Sequence, residues 1–86
     1  MGKAEFEKAL EDVKRLPDQP PQVLLDLYGL YKQATAGDVS GKRPGLLDMK
    51  GRAKYDAWAS RRGMSTEQAM DGYVELVGNL LEKHDC

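Results

Sequence analysis

The sequence has one cysteine, Cys86, and one histidine, His84. That is too few for an internal disulfide or for the three or four ligands of a metal site. No metal and no cofactor is expected, and Cys86 reads as a tail thiol in a chain suited to a reducing compartment. Apolar runs are only a few residues long, which excludes a transmembrane helix and a secretory signal peptide. A cytoplasmic protein without stable membrane insertion is expected. Met1-Gly2 opens like a myristoylation signal, but Phe6 stands where Ser or Thr is needed, so acylation is not expected. Neither charge sign dominates. Thirteen basic and 14 acidic residues leave a net charge of -1, too little to hold the whole molecule on DNA or anionic lipid. There is also no GxSxG, no GxxxxGK and no Ser-His-acid or paired-carboxylate arrangement, so the chain is not expected to be an enzyme.

What is present fits one small folded domain spanning 1–86. With 41% hydrophobic and 31% charged residues, the 86 residues can close a modest core. Charge is unevenly placed. Residues 1–31 carry four basic and six acidic groups, residues 32–62 eight and three, and residues 63–86 one and five. The middle third therefore concentrates Lys32, Lys42, Arg43, Lys50, Arg52, Lys54, Arg61 and Arg62 between acidic ends. This is either a solvated surface neutralised by its flanks or a local anion site.

Hydrophobic spacing predicts four helices and no strand. Phe6, Ala9, Leu10, Val13 and Leu16 recur at three- and four-residue steps, giving an amphipathic helix over about 3–15. Pro17 and Pro20 break it, and Pro21 suits the first position of a second helix, where its missing N–H is not needed. Leu24, Leu27, Tyr28, Tyr31 and Ala34 carry that helix to about 36, where Gly37 is a natural left-handed terminator. Residues 37–48 hold Gly37, Gly41, Pro44 and Gly45 and read as a loop. Asp48 can cap a third helix carrying Ala53, Ala57 and Trp58 and stopping before Gly63. Trp58 is assigned to the core. Ser65 and Gln68 have capping-box spacing ahead of a fourth helix with Ala69, Met70, Tyr73, Val74, Val77, Leu80 and Leu81. Gly72 and Gly78 each weaken that helix by up to about 1 kcal/mol against Ala, which packing must offset.

Short connections make helices one and two antiparallel neighbours, and likewise three and four. The 37–48 loop can span roughly 40 Å, against a second helix of roughly 24 Å, so it can return along the whole bundle. An all-α, up-down-down-up four-helix bundle with a long crossover between helices two and three follows.

Three groups of side chains could carry chemistry. Tyr28, Tyr31 and Lys32 at i, i+3 and i+4 share a helical face, either as a core tyrosine pair with a snorkelling lysine or as a platform that stacks a base and neutralises a phosphate. Lys50 and Lys54, four apart, repel one another unless an anion lies between them. Tyr73 is either a core residue whose hydroxyl reaches water or part of the same site.

Beyond spacing, Tyr28-Gly29-Leu30-Tyr31-Lys32-Gln33-Ala34-Thr35-Ala36-Gly37-Asp38 resembles the central signature of acyl-CoA-binding proteins, also called diazepam-binding inhibitor or endozepine. The stretch from Arg43-Pro44-Gly45 to Ala57-Trp58 is similar to the same family's loop and third helix. The departures are a 17–23 linker one residue short, Tyr55 where a Trp is frequent, and the two glycines of helix four. The resemblance implies a single acyl-CoA-binding domain with the up-down-down-up fold. It implies ligand-binding positions at Lys14, Tyr28, Gly29, Leu30, Tyr31, Lys32, Lys50, Lys54 and Tyr73. Tyrosines and lysines of helices two and three would hold the adenine and the 3′-phosphate, and Tyr73 would complete the pocket. Phe6, Ala9, Leu25 and Ala53 are the implied apolar-groove or adenine contacts.

The resulting expectation is a monomeric, non-catalytic intracellular carrier that binds long-chain acyl-CoA, forms a pool of it and delivers it transiently to acyl-CoA-using enzymes. No nucleic acid partner is expected. Single-stranded nucleic acid would instead give strong salt dependence and competition by oligonucleotides. A signalling or protein-partner helical module would keep its function with the lysines neutralised.

Overall fold

The structure, a computed structural model, describes residues 2–85, with side chains through His84. Met1 and Cys86, and with it the tail-thiol reading, lie outside the described residues. Helix α1 runs Lys3–Asp12, buries Phe6 and Ala9, and tightens into a 3-10 turn at Val13–Arg15 before the prolines. Helix α2 runs Pro21–Ala36 with proline in its first turn. It stops at Gly37, whose φ of 80° and ψ of -153° lie in an extended region essentially confined to glycine, not in the expected left-handed helical one. Helix α3 runs Met49–Ala59, and its cap is as expected: the Asp48 carboxylate accepts from the Gly51 N–H at 3.0 Å. Helix α4 runs Thr66–Asp85 behind a complete capping box, in which the Gln68 N–H reaches Ser65 Oγ at 3.0 Å and the Ser65 N–H reaches Gln68 Oε1 at 2.9 Å. Among the described residues there is no strand.

Side-chain pairings fix the directions. Moving along α2 from Pro21 to Lys32, the partners on α3 advance from Lys50 to Trp58, so α2 and α3 are parallel. Toward α4 the order reverses, since Leu30 meets Gly72 whereas Gln33, further along, bonds Met64 just ahead of that helix. Helices α1 and α4 are parallel, with Phe6 against Tyr73 and Ala9 beside Val77. The bundle is therefore up-down-down-up, with α2 and α4 paired centrally, α3 on the outer side of α2 and α1 packed on α4.

The core lies on one side of α2. Phe6, Ala9, Leu27, Leu30, Ala34, Ala69, Tyr73 and Val77 form one buried cluster spanning α1, α2 and α4. Helix α3 contributes no fully buried side chain. Trp58, expected in the core, is instead half-buried at the α2–α3 edge. Its indole N–H donates to the Gly37 carbonyl at 2.7 Å, and the Lys32 ammonium lies 4.8 Å from its ring centre. A polar N–H and a cation-attracting face make that edge a better place for indole than a dry core.

Helix α3 is held by close approach and by polar ties. A Cβ at Gly29 would lie 2.5 Å from the Ala57 carbonyl oxygen, so only glycine lets the two helices come this near. The crossover loop lies along α3. Besides the Trp58 bond, the Tyr55 hydroxyl donates to the Gly41 carbonyl at 3.1 Å, and Arg43 makes a two-pronged pair with Asp56 at 2.9 and 2.7 Å. At the far end, buried Gln33 donates to Asp38 Oδ1 at 2.8 Å and to the Met64 carbonyl at 2.9 Å. The same Asp38 oxygen accepts from the Gly63 N–H at 2.9 Å, joining the end of α2 to the α3–α4 turn.

Candidate functional site

Helices α2 and α3 approach closely at Gly29 and Ala57, and their N-terminal halves leave a cavity of about 280 Å³ between them. Pro21, Leu24, Leu25 and Ala53 make its apolar walls, with Tyr28, Lys50 and Lys54 around them. Leu25, within α2, thus joins Ala53 in that wall. Lys50 and Lys54 are exposed, and among the described residues neither has a carboxylate within ion-pairing distance. The Lys54 ammonium lies 5.5 Å from the centre of the Tyr28 ring. An apolar trough bordered by unpaired cations and a phenol ring can take a ligand that is both anionic and greasy.

The other predicted residues lie elsewhere, and helical geometry says why. Tyr31 and Lys32 are about 100° apart around α2, so the three side chains at 28, 31 and 32 do not converge on one contact. Tyr28 and Lys32 turn toward α3, where they meet Lys54 and Trp58. Tyr31, 40% exposed, turns toward α1 and stacks on Phe6 with ring centres 6.4 Å apart. Phe6 in turn meets Tyr73 edge-on at 5.3 Å. Both Phe6 and Tyr73 are buried, and burial pushes the Tyr73 phenol up from its ordinary value. Phe6 and Ala9 belong to the α1–α4 core and do not line the α2–α3 cavity. Leu30 is also a core residue, packed toward Gly72, and Gly29 serves the helix crossing. Lys14 is exposed beyond α1 and pairs with Glu11 at 3.4 Å. It does not line the cavity, although the parallel course of α1 and α4 puts it at the same end of the bundle.

Sequence reasoning missed Trp58 as a neighbour of Lys32 and missed Gln33 and Asp38 as the tie that positions α3. The signal was available for Trp58, since an indole N–H wants a partner, but Gln33 looked like any helix-surface amide. The other shifted groups hold structural bonds. Asp38 is lowered chiefly by the Gly63 N–H and then by Gln33, Asp56 is lowered by Arg43, and Glu5 is lowered by the Gly2 N–H. Among the described residues no His, Cys, Asp and Glu side chains group as metal ligands, and no helix is long and apolar enough to cross a membrane.

Comparison with known proteins matches residues 3–77 to the family described as Acyl CoA binding protein. A protein from the genus Hypsibius named for acyl-CoA binding is 49% identical over 81 residues, covering 93% of this chain and 91% of that one. Acyl-CoA-Binding Protein 2 of Oryza sativa superposes with a TM-score of 0.94 at 46% identity, over 98% of this chain and 92% of its own. The acyl-CoA-binding protein structure from Moniliophthora perniciosa does so with 0.92, also at 46% identity, over 100% and 86%.

Proposed function

The chain belongs to the acyl-CoA-binding protein family, and from that premise we propose that it binds long-chain acyl-CoA esters and carries them, as a non-catalytic monomer, through the cytosol to the enzymes that use them. The observation that carries this reading is the apolar α2–α3 cavity edged by Lys50, Lys54 and Tyr28. A coenzyme A thioester offers phosphates, a purine face and a long tail, and each has a counterpart here. Lys32, Lys50 and Lys54 neutralise the 3′-phosphate and diphosphate, and Lys14, on the turn after α1 at the same end of the bundle, adds positive charge from outside the cavity. Tyr28 stacks on the adenine at the cavity edge, and Tyr31, exposed on the α1 side with Tyr73 buried beyond Phe6, borders the same ligand from outside the cavity. Stacking contributes about 1 to 3 kcal/mol per base, and each charged hydrogen bond about 1.5 to 3. A single acyl-CoA-binding domain over 1–86 suffices for this role.

Calorimetric titration with free coenzyme A and with its lauroyl and palmitoyl esters tests the proposal. Buried methylenes contribute about 0.8 kcal/mol each, so four more carbons add about 3 kcal/mol, roughly a hundredfold in affinity, if all are buried. The cavity is at the small end for ligand sites, so the gain levels off between about fourteen and twenty carbons. An ester lacking the 3′-phosphate should bind about tenfold more weakly or worse, because its lysines lose their anion. Equal affinity for free coenzyme A and the palmitoyl ester overturns the carrier reading.

A further inference from the structure

The two glycines of α4 differ in what stands opposite them. A Cβ at Gly72 would press on Leu30, whereas one at Gly78 meets nothing within 4 Å. Glycine inside a helix weakens it, so bare backbone at exposed Gly78 is a cost that packing within the chain does not offset. The position lies on an open groove. A cavity of about 290 Å³ runs between α1 and α4, and no residue of α2 or α3 lines it. Buried Ala9 and Val77 make its floor, and Val74, Gly78 and Leu81 its α4 wall. From Val74 to Leu81 that wall is about two helical turns long, roughly 10 Å. An apolar furrow between two helices can seat the ridge of a third, and the missing side chain at Gly78 lets its backbone come close.

The charge beside the groove remains acidic once internal pairing is counted. Glu67, Asp71, Glu75 and Glu82 follow at steps of four, four and seven residues and form one stripe along α4, with Gly78 in its remaining gap. Because Gly78 belongs to both, the stripe borders the groove. Glu75 and Glu82, on either side of Gly78, are exposed, and among the described residues neither makes an ion pair. The α1 wall is nearly balanced: Glu5 accepts from the Gly2 N–H at 2.9 Å, Asp12 pairs with Arg15 at 3.2 Å, and Lys8 stands between them.

An occupant that follows this furrow is helical, apolar along the side it inserts and basic where it meets Glu75 and Glu82. No helix of a second copy qualifies. Helices α1 and α4 are themselves acidic, with four acids to two bases and five acids to one lysine, and α2 holds a single lysine. Helix α3 is basic, but its apolar Ala53 and Trp58 already face α2. An anionic bilayer is repelled by the same acids.

We propose that the α1–α4 groove, floored by Ala9 and Val77 and opened at Gly78, is a docking seat for a basic amphipathic helix of another protein. The seat shares no residue with the α2–α3 cavity, so partner and ligand can be held at once. The inference stands apart from the acyl-CoA reading, and its test contains no coenzyme A.

A fluorescein-labelled peptide of about eighteen residues, with leucine and alanine at i, i+3, i+4 and i+7 and lysine elsewhere, is titrated with the full chain and followed by anisotropy. Saturable binding is expected, about tenfold weaker for a peptide of scrambled apolar spacing and lost when glutamate replaces lysine. Gly78→Gln, which puts a side chain into the groove, should weaken binding about tenfold, and Glu75→Lys with Glu82→Lys at least as much. Circular dichroism should show both variants folded, since a side chain at 78 meets open space and both glutamates are exposed. Amide shifts in NMR should move along α1 and α4 and stay in place at Lys50 and Lys54. No saturable binding, equal binding of the scrambled peptide, wild-type binding by the folded Gly78→Gln variant, or shifts centred on α3 overturns the proposal. So does self-association in sedimentation velocity that Gly78→Gln abolishes, which gives the groove to a second copy.

Discussion

Toward α4, helix α2 contributes Leu27, Leu30 and Ala34 to a buried cluster of eight apolar side chains; toward α3 it meets a glycine contact, two cation–ring pairs and a cavity. The first side concentrates the buried apolar area that stabilises folding, and the second leaves its apolar and cationic groups available to a ligand. A small bundle cannot fill every interface and still keep a ligand site. Here the unfilled interface is one whose outer helix is fastened by polar bonds, so α3 can be held in place without a core of its own.

The largest effect should come from breaking the filled side. Leu30→Ala removes a buried side chain and should lower unfolding free energy by about 2 to 5 kcal/mol in chemical denaturation. The unfilled side should respond in binding. Lys54→Ala should weaken palmitoyl-CoA binding by about 1.5 to 3 kcal/mol in calorimetry while leaving the denaturation midpoint nearly unchanged, because its ammonium is exposed. A fall in stability matching that of a core variant would erase the distinction between the two sides.

Gly29→Ala probes the junction, since its Cβ meets backbone that cannot swing away. Such overpacking costs about 1 to 3 kcal/mol, and the displaced α3 should reduce ligand affinity as well. Gly78→Ala is a contrasting change, because a Cβ there meets nothing within 4 Å and the residue lies inside α4. It should stabilise the protein by about 0.5 to 1 kcal/mol without touching affinity.

Acid should loosen the α3 side first. Asp38 and Asp56 have folded pKa values below their ordinary ones, so their contribution is complete above about pH 4 and is lost as pH falls through the folded values. Trp58, the chain's one tryptophan, sits at that junction and reports it by fluorescence. Its transition should precede loss of helical circular dichroism, and Asp38→Asn with Asp56→Asn should reduce the gap. Coincident transitions would make the two sides one cooperative unit.

The fold was largely legible because its signals are local. Pro21, Gly37, Asp48 and the Ser65–Gln68 pair mark helix ends through bonds to their own neighbourhoods, and the length of the crossover loop permits parallel α2 and α3. The cavity was legible only in part. Lys50, Lys54, Leu25 and Ala53 could be named from resemblance, but spacing alone could not show that Tyr28 and Tyr31 diverge toward different helices. Trp58 was misplaced because size suggested a core residue, while the partner of its N–H, Gly37 at the end of α2, is 21 residues away in the sequence. Gly72 has a packing reason that spacing could not supply, as a Cβ there would come within 3.1 Å of Leu30. Gly78 has none in the structure.

The parallel pairing of α1 with α4 also bears on how the chain reaches this state. Phe6 finds Tyr73, and Ala9 finds Val77, across most of the sequence. Contacts of such separation exact their loop-closure entropy before they return any burial, so folding should be slower than in a bundle whose neighbours are sequential. On the ribosome, α1 and α2 emerge without the helix that covers them both. The apolar faces of Phe6, Ala9, Leu27 and Leu30 then remain uncovered until α4 is made, and the core closes in a late step.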